Sequence, residues 1–315
     1  MSPRPLDVVA PDAQAFAAAH ERGEAQLVWT RLVDDLETPV SAFLKLGAGR
    51  RYAGLFESVE GGAWRGRYSV VVRDPDLVWR ARGEAAEEAR GAEAVAAGAF
   101  APAPGAPDAV LRRLVDESAF APPPGLPPMV AGLFGVLGYD AVRWLEPTLG
   151  PANPDPLDLP DAVMMRPLLV AVFDSVHGEI VLATPARPQP GEDAASAYAA
   201  ACARLSQARR ELAAPLPAAH APSAPATGAA ELRSPTTRAA YTAMVERARD
   251  YIAAGDIFQV VPSQRFSGPF AGQPFAFYRA LRRLNPSPFL YFLDLGGFQL
   301  AGSSPEILVR YRDDR

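Results

Sequence analysis

Three features of the sequence predict an α+β fold. β-Branched and aromatic residues gather in short runs bounded by turn residues, as in Leu27–Val33, Gly66–Val72 and Leu168–Phe173. Several runs follow one another directly, with His177-Gly178 and Gly296-Gly297 placed as hairpin turns. Helical stretches are interspersed among the runs without the strict alternation of a doubly wound sheet. The chain has 315 residues, 49% hydrophobic and 21% charged, which suits one large domain or two ordinary ones with a sizeable core.

In chain order, 12–21 is Ala-rich and reads as a helix, and Leu27–Val33 as a strand. Pro39–Leu46 alternates well enough to read as a second strand. Gly66–Val72 is a strand that Asp74-Pro75-Asp76 should end as a turn, with Leu77–Ala81 following as another. Ala85–Ala97 is helical by composition. Met129–Asp140 sets glycines among large apolar residues, the pattern of a strand with close backbone approach. Leu168–Phe173 and Glu179–Ala183 make a hairpin, and Ala194–Ala213 a helix. The Pro/Ala segment 215–232 has little to pack and reads as a linker. It divides residues 1–214 from a second domain, 233–315. There Ser234 caps a helix from about Arg238 to Ala254, and Gly255 stops it. Ile257–Phe266 reads as a strand and Phe275–Leu284 as a helix ended by Asn285-Pro286. Phe289–Leu295, Phe298–Gly302 and Glu306–Tyr311 read as three more strands. The second domain reads as incomplete, because its strands have no evident closing partner.

The formal charge of -5 gives no basic face for nucleic acid. Cys202 is the single cysteine, which excludes an internal disulfide and any cysteine-rich metal site. His20, His177 and His220 are too far apart to pair as ligands on one helical turn. With no secretory leader and no run of about 20 apolar residues, the expected location is the cytoplasm, away from membranes.

Leu55-Phe56-Glu57-Ser58 sets a carboxylate and a hydroxyl after two apolar residues, a combination able to hold an ammonium beside an apolar slot. Arg67 in Gly66-Arg67-Tyr68-Ser69 could meet a carboxylate or lie on a wet sheet edge. Alternation along Asp256–Phe266 puts Gln259 between Ile257 and Val261 on one face. It is then either a satisfied structural amide or a polar group facing a ligand cavity. Asn285-Pro286-Ser287-Pro288-Phe289-Leu290 joins rigid proline turns to apolar side chains.

Taken together and in order, these segments resemble component I of anthranilate synthase, a chorismate-utilising enzyme. The matching set also includes Gly132-Leu133-Phe134-Gly135-Val136-Leu137-Gly138-Tyr139-Asp140, Ala254-Gly255-Asp256-Ile257-Phe258-Gln259 and Gly302-Ser303-Ser304-Pro305-Glu306. The resemblance implies a two-sheet sandwich flanked by helices, with a chorismate-binding region beginning near residue 235. It implies conversion of chorismate and ammonia to anthranilate and pyruvate, the first step of tryptophan biosynthesis. Magnesium is the implied cofactor and a glutamine amidotransferase subunit (component II) the implied ammonia-supplying partner. The catalytic residues and magnesium ligands are implied to lie beyond Arg315, so no metal ligand is expected in this chain. A chain lacking them should be inactive alone.

Feedback inhibition by L-tryptophan is also implied. Glu57 and Ser58 would face its amino group, Pro288, Phe289 and Leu290 would line the indole slot, and Arg67 would help order the site. Two positions depart from the family's usual wording. Phe56 replaces a leucine, and Phe289-Leu290 replaces Tyr-Met; both keep apolar volume. Lysine at the Gln259 position marks the relatives that add water to chorismate. An amide takes no proton near neutral pH, so Gln259 favours ammonia as nucleophile. The alternatives are aminodeoxychorismate synthase component I of the folate pathway, whose strand more often reads Gln-Val-Asn-Leu, and a catalytically dead tryptophan-binding fragment.

Overall fold

The computed structural model describes residues 7–58, 66–119, 122–146, 148–150, 152–217 and 231–311. His220, most of the expected linker and the end of the Glu57-Ser58-Val59-Glu60 segment lie outside them. Among the described residues, ten strands hydrogen-bond into one antiparallel sheet, and with seven α-helices they make the α+β class expected. Its main path runs β1 (Gln26–Val33), β8 (Glu179–Ala186), β7 (Ala162–Asp174), β3 (Tyr68–Arg82), β2 (Ala53–Glu57), β9 (Phe289–Asp294), β10 (Gln299–Ser304). The two long central strands, β3 and β7, pair along most of their lengths. Their far halves carry β4 (Ala85–Arg90), β5 (Ala101–Pro102) and β6 (Phe134–Leu137). The described strands form one sheet; the facing sheet of the implied sandwich is not among them.

One face of the sheet buries an apolar cluster under α1 (Ala13–Glu21), α2 (Pro39–Leu46), α5 (Ala194–Ala213) and α7 (Pro274–Leu284). Phe16, Phe43, Leu205 and Phe275 reach it from the helices, and Leu55, Leu182 and Phe292 from the strands. The opposite face holds a second cluster around Val70, Val72, Val170, Val172 and Val181. Trp79, wholly buried, centres a third with Leu77 and Leu114 of α4 (Pro107–Ser118). Burial along β3 and β7 is nearly continuous, because alternate residues face different clusters and both faces of these central strands are covered.

Several elements differ from the sequence expectation. Pro39–Leu46 is a helix, not a strand. Thr38 and Ser41 form a reciprocal capping box, with Thr38 Oγ1 accepting from Ser41 N at 3.1 Å and Ser41 Oγ from Thr38 N at 2.8 Å, and Pro39 opens the first turn. Asp74-Pro75-Asp76 does not end its strand. It is a bulge, with Asp74 at φ 53°, where Pro75 faces Pro167 and neither owes the ladder an N–H. Ala85–Ala97 is divided into β4 and α3 (Ala92–Ala97). A two-residue turn at Gly83-Glu84 returns β4 onto β3, and that pairing overrides alanine's helical preference. Of Met129–Asp140 only Phe134–Leu137 is strand.

The compact units also cut differently from the expected domains. Met1–Ala221 and Pro274–Arg315 form one unit, and Pro222–Gln273 the other. β9 belongs to the first because it pairs with β2 along Ala53–Glu57. In the second unit, α6 (Arg238–Ala254) is capped by Thr237, which accepts from Ala240 N at 3.2 Å, and Gly255 closes it at φ 82°. Ser234, the expected cap, instead accepts from Gln264 Nε2 at 3.0 Å. Ile257–Phe266 forms no strand, and Phe258 and Val261 are exposed. A strand needs a neighbour for its backbone groups. The described residues of this unit offer only the single bridge Arg233–Ser267. In the first unit, Glu306–Tyr311 likewise forms no strand, and Leu308 is exposed.

Candidate functional site

β2 lies between β3 and β9, so both its edges are paired and its side chains alternate between the two apolar clusters. Leu55 points into the helix-covered cluster, and the period of two sends Glu57 the same way. Glu57 is only 3% exposed. A carboxylate so placed must be partnered. Helix α7 supplies the partners from one face, four residues apart: Tyr278 Oη donates to Glu57 Oε2, and Arg282 Nε donates to the same oxygen at 2.9 Å. Burial and then the Glu57 charge raise the Tyr278 phenol far above its ordinary pKa, so it remains a donor. Tyr278 and Phe275 are themselves fixed by Phe43 and Phe292, with Phe43–Phe275 centroids at 4.6 Å and Tyr278–Phe292 at 6.0 Å. Both donors thus fall on Oε2, which leaves the second oxygen of the carboxylate outside this network.

Leu290 is the direct cross-strand partner of Glu57, and Tyr291 that of Phe56. Pro288 and Phe289 lead into the strand half-buried, behind the buried Ser287. Ser58 follows Glu57 at the strand end. Gly66 lies so close that a Cβ there would come within 2.1 Å of the Ser58 carbonyl oxygen and 2.4 Å of its hydroxyl, so this position admits only glycine. The fold therefore brings Glu57 and Ser58, at the end of β2, beside Pro288, Phe289 and Leu290, at the start of β9, although the two segments are more than two hundred residues apart in sequence.

Arg67 serves a carboxylate, one of the two readings its sequence left open. Its Nε and Nη2 donate to Asp174 at 3.1 and 2.8 Å, and its guanidinium stacks over Tyr68 at 4.7 Å. Burial pushes the Asp174 carboxyl up, but bonds from Arg67 and His177, the Arg67 charge and the Val176 N–H outweigh it and hold the group at about 2. This pairing fastens the start of β3 to the end of β7. Gln259 stands in the other unit, exposed, on the irregular segment. Among the described residues, no three His, Cys, Asp or Glu side chains gather to hold a metal. No described helix is long and apolar enough to cross a membrane. Sequence reading missed Tyr278 and Arg282. Their only signal was a phenol and a guanidinium one turn apart on the apolar side of an otherwise ordinary helix.

A family model described as chorismate binding enzyme matches residues 76–315. The chain belongs to that family. Within it, the chain is 49% identical over 300 residues to anthranilate synthase component 1 of Cereibacter sphaeroides, covering 95% of this chain and 59% of the relative. It is 40% identical over 284 residues to the protein of the same name from Thermus thermophilus, covering 88% and 55%. Among solved structures it is similar to anthranilate synthase component I from Streptococcus pneumoniae, with a TM-score of 0.62 and 26% identity over 90% of this chain and 59% of that one. This likeness bears out the anthranilate synthase component I type of fold. The chain thus spans somewhat under two thirds of the length of the relatives it matches.

Proposed function

We propose that this chorismate-binding family chain is a portion of anthranilate synthase component I that carries its tryptophan-sensing site. The observation that carries the reading is the pairing of Glu57 with Leu290 across adjacent strands, with one carboxylate oxygen pinned by Tyr278 and Arg282. A carboxylate held in this way is pre-oriented, so an ammonium group gains a charge-assisted bond with little ordering cost. Ser58 supplies a second acceptor beside it. Pro288, Phe289 and Leu290 give apolar surface for an indole ring. Arg67 orders the site indirectly, through Asp174. Tryptophan bound here would inhibit by favouring a conformation less able to bind chorismate, and the coupling must be reciprocal in binding free energy.

The reaction assigned to the whole protein is chorismate plus ammonia to anthranilate plus pyruvate. Gln259 favours ammonia because its amide offers water no base. A glutamine amidotransferase subunit would deliver the ammonia, the setting would be cytoplasmic, and magnesium would be held by residues outside this chain. The reading is tested by fluorescence assay of anthranilate from chorismate, ammonium and magnesium. A protein of the relatives' full length carrying this sequence should turn over, and the 315-residue chain alone should not. Turnover by the chain alone would place the chemistry within these residues. A full-length protein that gives no anthranilate would remove the assignment.

A further inference from the structure

A cavity of about 660 Å³ opens where the start of β2, the far end of β3, the strand β4, residues 158–160 and the Gly296-Gly297 turn between β9 and β10 meet. That volume suits one small organic molecule. It takes no part in the proposed tryptophan site: Tyr52, Leu295 and Phe298 of its wall belong to the cluster on the sheet face opposite the helices that hold Glu57. Four of its charged side chains are committed in pairs. Arg80 Nε donates to Glu87, with its guanidinium stacked over Phe100 at 3.8 Å. Arg82 donates to the Asp158 carboxylate and, at 2.7 Å, to the Asp158 carbonyl. These charges cancel, which leaves the lining with the single positive charge of Arg51.

Arg51 makes no ion pair or hydrogen bond with a described residue; its guanidinium stands 5.6 Å from the centroid of the Tyr52 ring. Tyr52 is only 3% exposed and stands at φ 58°, a left-handed conformation that strains a bulky residue, and such strain gathers at ligand sites. Its ring end lies against the turn. A Cβ on Gly296 would come within 2.6 Å of Tyr52 Cζ and 2.7 Å of its Oη, so only glycine lets the ring sit there. The Tyr52 hydroxyl nevertheless makes no hydrogen bond with a described residue. A phenol so enclosed ordinarily finds a partner. Two unused donors, a guanidinium and a phenol, thus flank one ring in a cavity whose remaining wall includes the buried Leu295 and the half-buried Phe298. The planar fork of a guanidinium matches the two oxygens of a carboxylate, and aromatic and aliphatic side chains suit a flat apolar body.

We infer that this cavity binds an aromatic monocarboxylate, its ring against Leu295 and Phe298 and its carboxylate accepting hydrogen bonds from Arg51 and from the Tyr52 hydroxyl. The test is titration of the chain with 2-naphthoate, followed by calorimetry, and with its neutral counterpart 2-naphthamide in a separate arm. The acid should bind saturably at one site, and the amide about tenfold or more weakly, the loss expected for a charge-assisted bond. Arg51→Gln should weaken 2-naphthoate by about tenfold or more and leave the amide unmoved. Arg51 is exposed, so this variant keeps the fold, which circular dichroism checks. Tyr52→Phe keeps the ring and removes the hydroxyl, and should weaken the acid several-fold. Non-saturable heats with 2-naphthoate would overturn the inference. So would equal affinity for acid and amide, or unchanged affinity of Arg51→Gln for the acid.

Discussion

At Glu57 the chain places a carboxylate in an apolar cluster and then neutralises the cost with two donors from one helix face. Such a group is expensive to strip of partners, because the oxygen left behind stays buried. Tyr278→Phe keeps the ring and its contacts with Phe275 and Phe292 but removes the donor. It should lower the stability of the chain by about 1–3 kcal/mol, read as a shifted urea midpoint with an unchanged slope. An unmoved midpoint would mean that the phenol carries no weight in holding Glu57. At this scale the sequence disclosed half of the arrangement. Glu57 and Ser58 stood out because a carboxylate beside a hydroxyl after Leu55-Phe56 is an unusual way to leave an apolar run. Tyr278 and Arg282 did not, because their role depends on which strand α7 covers, and no local pattern encodes that. Arg67 was legible as a residue able to meet a carboxylate, but Asp174 as its partner was not.

Elements were legible where one signal acted alone. The helices ending at Glu21, Ala213, Ala254 and Leu284 have uninterrupted composition and clear stops, and their bounds follow the sequence closely. Misreadings arose where two signals competed. Pro39–Leu46 alternates like a strand, yet Thr38, Pro39 and Ser41 together start a helix. The cap outweighed the alternation because α2 covers the sheet with Phe43 and Leu46 instead of extending it. Thr38→Ala should therefore cost about 1 kcal/mol, measured by thermal or urea unfolding. A loss near zero would show that packing of α2 fixes the helix without its cap. At Asp74-Pro75-Asp76 the turn residues read as the end of the strand, and the strand runs on. The opposing Pro167 makes them a bulge inside a longer strand. Ala85–Arg90 shows the reverse competition, where a hairpin partner overrode helical composition.

Across the whole molecule, the α+β class follows from the spacing of the strand runs, but the order of strands in the sheet does not. β9 enters between β2 and β10 from far along the chain, and only the folded sheet shows Leu290 opposite Glu57. That pairing brings side by side two segments that the sequence shows separately. The segment around Gln259 was misread as a strand because its alternation is genuine while a pairing neighbour is absent among the described residues of its unit. The central claim is that Glu57-Ser58 and Pro288–Leu290 form a tryptophan-binding regulatory site. Loss of one charge-assisted hydrogen bond costs about 1.5–3 kcal/mol, which is roughly tenfold or more in affinity. The most direct measurement is the tryptophan inhibition curve of anthranilate formation, compared between a full-length protein carrying this sequence and its Ser58→Ala variant. The account predicts that the half-inhibitory tryptophan concentration rises about tenfold or more in Ser58→Ala. Equal sensitivity of the two proteins to tryptophan would contradict it.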